Sequence, residues 1–128
     1  MDIVTKKQLN ILIQLAEVDK DFVKAERDMI YKIAHDKRFS DENVDSLIHN
    51  PEPIDTLGAL SLDQKFEYLI SCVDVMFADE KILKSELIFC KNIAIKLGFK
   101  KNVVDYIVET YDIIGRDDLK KKVFTEFF

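Results

Sequence analysis

Apolar residues recur along the chain with helical spacing, broken once near its middle. Ile3, Leu9, Leu12, Ile13, Leu15 and Ala16 fall on one face of a first helix, with Thr5 and Gln8 at capping-box spacing near its start and the pattern fading near Asp19. Ala25, Met29, Ile30, Ile33 and Ala34 predict a second helix over about 24–37. A short third helix begins at Ser40 and presents Val44, Leu47 and Ile48. At "HNPEPIDTLGAL", residues 49–60, two prolines and a glycine remove backbone donors and helical geometry, which predicts a linker. Ser61 and Gln64 then form a second capping box, opening a long helix through Phe66, Leu69, Ile70, Val73, Met76 and Phe77. A fifth helix over about 85–97 stops at Gly98, suited to the left-handed position that closes helices. A sixth spans roughly 101–114 and ends at Gly115. In the tail, Leu119, Val123, Phe124 and Phe127 share one side of a final short helix. That aromatic stripe reads as a lid on the core, with an exposed partner-binding patch as the competing reading.

Sliding the chain by sixty residues superimposes one half on the other. Leu9 falls on Leu69, Asp19 on Asp79, Lys24 on Lys84 and Glu26 on Glu86. Ile33, Ala34, Phe39, Val44 and Asp45 fall on Ile93, Ala94, Phe99, Val104 and Asp105. The predicted architecture is therefore all-α: one domain over residues 1–128, of about seven helices. Two repeated three-helix units, at about 5–48 and 65–108, are joined by the linker at 49–60 and closed by the seventh helix.

Composition agrees with a helical globule, since 48% of the 128 residues are hydrophobic and only three Gly and two Pro occur. The 24 acidic against 19 basic residues argue against nucleic acid as a partner, because phosphate neutralisation needs the opposite sign. Lys100-Lys101 and Lys120–Lys122 adjoin acids and read as solvated surface. No stretch approaches the ~20 continuous apolar residues of a membrane span, and the first apolar run is too short and interrupted for a signal peptide. Cys72 and Cys90 lie within apolar helical patterns without a CxxC pair, as expected of buried thiols in a reducing cytoplasm.

One device occurs twice. "VDKDFVKAE" at 18–26 and "ADEKILKSE" at 78–86 each place an Asp seven residues ahead of a Glu. In one reading these acids only build the fold. Glu26 and Glu86 would sit in the first turn of the following helix, where the macrodipole favours a carboxylate by ~0.3–1 kcal/mol, while Asp19 and Asp79 satisfy turn amides. In the other, Asp19, Asp21 and Glu26, or Asp79, Glu80 and Glu86, begin a site for a divalent cation such as calcium, which takes about six to eight oxygens. The loops are shorter than the roughly 12-residue EF-hand template and lack its central Gly, so waters, backbone carbonyls or both loops together would complete such a site. Catalysis finds no support in the pattern: His35 and His49 lack the context of a general base, and the glycines at 58, 98 and 115 are isolated. A non-enzymatic protein is expected.

The segments "LAEVDKDFVKAERDMIYKIA" and "VMFADEKILKSELIFCKNIA" resemble the tellurite-resistance TerB-like family over about residues 3–114. That resemblance implies an all-helical domain of duplicated units, like those found as free bacterial proteins and in a membrane-anchored J-domain cochaperone. It implies further that Asp19, Glu26, Asp79 and Glu86 match the family's signature acids, proposed as metal ligands. A cytoplasmic role in stress or tellurite resistance follows from it, through a protein partner in membrane-proximal assemblies. Where such loops commonly read Asp-Gly, this chain has Asp19-Lys20 and Asp79-Glu80. The competing expectation is an ion-free interaction or homodimerisation domain.

Overall fold

The structure, a computed structural model, describes residues 2–18, 22–79 and 81–128. Among these, seven helices and no strand are found: α1 (Ile3–Glu17), α2 (Lys24–Asp36), α3 (Asp41–His49), α4 (Leu62–Ala78), α5 (Lys84–Leu97), α6 (Val103–Thr110) and α7 (Arg116–Glu126). Among the described residues no helix is long and apolar enough to cross a membrane.

α1 and α4 are the core helices. Leu9, Leu12, Ile13, Leu15 and Ala16 of the first, and Leu69, Cys72, Val73, Val75 and Met76 of the second, are excluded from solvent. The two pack on each other; α2 and α3 cover α1, α5 and α6 cover α4, and α2 and α5 also reach across to α4 and α1 respectively. Burial of so many Leu, Ile and Val side chains, at ~1.5–3 kcal/mol each, is the main term holding the helices together. Polar groups fix the α1–α4 register. The buried Gln8 amide donates to Ser71 Oγ at 3.1 Å, Ser71 donates to the Tyr68 carbonyl at 2.9 Å, and the Tyr68 hydroxyl donates to the Val4 carbonyl.

Helix termini follow the sequence at some places and depart from it at others. Ser61 and Gln64 form the expected reciprocal box, with bonds of 3.1 and 2.9 Å, and Ser40 caps α3. Thr5 and Gln8 do not form one. α1 starts earlier, at Ile3, with Asp2 as its cap; Thr5 donates to the Asp2 carboxylate and Gln8 is taken by the core contact with Ser71. An acid one turn upstream offers a stronger acceptor than the Thr5 hydroxyl, and its bonds to Thr5 and the Val4 amide hold the Asp2 carboxyl below its usual range.

α6 is shorter than its apolar pattern, ending at Thr110; residues 111–114 form a turn that leaves Ile113 75% exposed. Gly115 consequently starts α7 rather than ending α6, with extended backbone at φ −67° and ψ 158°. At this end Tyr111 keeps helical backbone, φ −52° and ψ −45°, while its ring stacks on Phe77 at 4.3 Å between centroids and its hydroxyl donates to Asp74, anchoring the turn to α4.

Positions sixty apart share local geometry in several places. Arg38 (φ 58°) and Gly98 (φ 96°) are both left-handed, and the next amides, of Phe39 and Phe99, donate to Ala34 and Ala94 at 2.8 and 3.0 Å. Those phenylalanines are both buried, as are Val44 and Val104. Asp45 accepts from Tyr31, and Asp105 pairs with Lys91 at 3.2 Å. The tail closes one end: Leu119 and Val123 are buried, Phe124 packs its ring against Phe66 and Phe99, and Phe127 stacks on Tyr106. The stripe is thus largely a lid, with Phe128 partly exposed under the Lys65 ammonium.

Candidate functional site

Glu26 and Glu86 occupy the third position of α2 and α5, and each is only 2% exposed. Apolar residues set this placement. Phe22 and Ile82, four residues ahead of each Glu, pack against the core, whereas Leu83 stays near the surface, so the chain enters each helix with its third residue turned inward. Glu86 Oε1 accepts the Leu83 amide at 3.2 Å, one half of a capping box whose other half a leucine cannot supply. A carboxylate there meets both an unpaired amide and the positive end of the helix.

Asp79 stands half-buried at the C-cap of α4, with extended backbone at φ −95° and ψ 150°. Asp19, together with Asp21 and Glu80, lies outside the described residues. Among the described residues, no three His, Cys, Asp or Glu side chains gather as a group able to hold a metal ion. Asp79 and Glu86 by themselves are far short of the donor set that calcium requires, and one Glu86 oxygen is already engaged by its own helix.

The other chemistry-bearing side chains are held in structural contacts. Cys72 and Cys90 are free, buried and adjacent; contact with Cys72, then burial, pushes the Cys90 thiol well above its ordinary value, so it is no thiolate at neutral pH. His35 pairs with Asp41, and His49 Nδ1 donates to the Asp45 carbonyl at 2.8 Å, all on the surface. A cleft of about 160 Å³ is floored by Gln8 and Ser71 and rimmed by Asp36, Lys37, Glu67, Asp74 and Arg116. Its cations are already matched, Lys37 with Glu67 and Arg116 with Asp74.

Three polar residues with a large structural role carry no motif. Asn10, buried on α1, accepts the Glu52 amide and donates to the Glu52 carbonyl, both at 2.9 Å, while Gln14 donates to the same carbonyl at 2.6 Å. They bind the 49–60 linker to α1. On α4, Asp74 receives the Arg116 guanidinium, one arm at 3.1 Å, and the Tyr111 hydroxyl. Gln14 and Asp74 are sixty residues apart, each holding the segment that follows its own half's third helix. The only signal available was a polar residue interrupting the apolar face in "LNILIQLA" and "LISCVDVM".

No known family model, curated protein or solved structure matches the chain.

Proposed function

We propose that this chain is a non-enzymatic, TerB-like helical binding module, built from two three-helix units, whose repeated acidic loops start helices and whose surfaces meet a protein partner. The observation that carries this reading is the placement of Glu26 and Glu86, buried in the first turns of α2 and α5, with Glu86 accepting a backbone amide of its own helix start. Carboxylates in such positions serve the polypeptide. The two histidines, engaged on the surface with Asp41 and the Asp45 carbonyl, support a role without catalysis. A cytoplasmic place in stress or tellurite resistance, near membrane assemblies, follows from the family resemblance.

A second reading loads the loops with a divalent ion at Asp19, Glu26, Asp79 and Glu86. It draws on the half-buried Asp79 at the end of α4, seven residues ahead of Glu86 in the first turn of α5. The double substitution Asp79→Asn with Glu86→Gln separates the two. The fold-building reading expects a change below about 1 kcal/mol, because neutralising Asp79 at the C-terminal end of α4 offsets part of the macrodipole loss at Glu86, and of equal size in chelator and in millimolar calcium. A loss that appears only when calcium is present would establish the ion-binding reading instead.

A further inference from the structure

The outward face of α5 carries a charge and apolar pattern unlike that of α2, its counterpart sixty residues earlier. Lys84, Ile88, Asn92, Ile95 and Lys96 are exposed, with Ile88 at 50% and Ile95 at 55%, while Glu86, Cys90, Ile93, Ala94 and Leu97 turn inward. Ile88 and Ile95, seven residues apart, stand on one stripe. The outward face has no carboxylate; the helix's one acid, Glu86, is buried. From Lys81 to Val104 the chain holds six lysines and that single acid, whereas the remainder holds 13 basic and 23 acidic residues.

Sixty residues earlier, the matching positions of α2 are Lys24, Asp28, Lys32, His35 and Asp36. There Lys24 is neutralised by Asp28 at 2.8 Å. On α5 the place of Asp28 is taken by Ile88 and that of Asp36 by Lys96, so ammonium groups flank two exposed isoleucines without a compensating acid between them. Lys91, at the edge, is the exception, paired with Asp105.

We infer that this face of α5 docks an acidic amphipathic helix of a partner protein, whose two apolar side chains cover Ile88 and Ile95 while its carboxylates meet Lys84 and Lys96. This rests on the binding-module reading above and adds the surface and the partner's chemistry. Charge complementarity names the occupant: a cationic rim steers an acidic segment to the patch, and the isoleucine pair supplies the area such a helix buries.

The test is an NMR titration of the full chain with a synthetic helical peptide that places two leucines seven residues apart among glutamates, beside a control peptide with lysines for glutamates. The expected result is saturable perturbation centred on the amides of Ile88, Lys91, Asn92 and Ile95 by the acidic peptide alone, weakening as salt rises. Ile88→Asp with Ile95→His, which restores the residues found on α2, should weaken binding at least tenfold with the fold intact by circular dichroism. Lys84→Glu with Lys96→Glu should do the same by charge alone. Perturbation of another face, equal binding of the lysine peptide, or no binding would overturn the inference. So would phosphatidylserine vesicles or a second copy of the chain occupying this face in preference to the peptide. None of these outcomes touches the calcium comparison that tests the module reading.

Discussion

Asn10 shows how one side chain can hold a segment that has no regular structure. Residues 51–60 lie between α3 and α4 outside any helix, and Asn10 supplies both a donor and an acceptor to Glu52 from a position 4% exposed. Removing the amide leaves a backbone donor without its partner at the core's edge. Asn10→Ala should therefore lower stability by ~1–3 kcal/mol, and urea unfolding should record a shifted midpoint with an unchanged slope. Asn10→Asp keeps the acceptor for the Glu52 amide but turns a buried carboxylate oxygen towards the Glu52 carbonyl, so it should lose at least as much. Neither Asn10 nor Asp74 was legible in the sequence as a structural residue, because a polar residue inside an apolar run looks the same whether it is solvated, satisfied or catalytic. The roles of Glu26 and Glu86 were half legible: spacing placed them in first turns, but their burial depends on Phe22 and Ile82 reaching the core, which is a tertiary fact.

At the level of helices, local chemistry was readable where one signal acted alone. Ser61 with Gln64 and the left-handed Gly98 stand where spacing predicts them. Elsewhere the reading failed: Asp2 displaced Thr5 at the start of α1, and α6 ended before its apolar pattern ran out. The paired helix ends offer a clean comparison, because Arg38 adopts the same left-handed region as Gly98 but carries a side chain. An L-residue pays roughly 1–2 kcal/mol for that conformation, so Arg38→Gly should raise stability by about 0.5–1 kcal/mol after the greater chain entropy of glycine. Gly98→Ala should lower it by about 1 kcal/mol through backbone strain rather than crowding, since an added Cβ would meet only the Phe128 ring at an ordinary 3.6 Å. Thermal melts of the two variants should move in opposite directions.

Across the whole molecule, hydroxyls from three tyrosines tie helices together, and their titration makes the fold sensitive to alkali. The Asp45 hydrogen bond raises Tyr31 to about 12, burial and then the Asp74 bond raise Tyr111 to about 12, and burial raises Tyr68 further. Each group keeps its proton longer in the folded chain than in the unfolded one, whose tyrosines titrate near 10.0. Their contribution is thus complete below about pH 10 and is lost as pH climbs towards 12. Denaturant unfolding followed with tyrosinate absorbance should fall over that window, and Tyr31→Phe with Tyr111→Phe should flatten the fall; a flat profile in the unsubstituted chain would contradict the assigned contacts. At this scale the all-helical class was the most legible property, since it rests on many apolar positions whose errors average out. The role of the acidic loops was the least legible, because a helix-starting Glu and an ion-ligating Glu require the same residue at the same spacing. The most direct test is the melting temperature of the chelator-treated protein with and without millimolar calcium. The account predicts midpoints that agree within about a degree, whereas an ion at a hundred times its dissociation constant would add ~2.7 kcal/mol. A calcium-specific rise of several degrees, the shift that much stabilisation produces in a domain of this size, would contradict it.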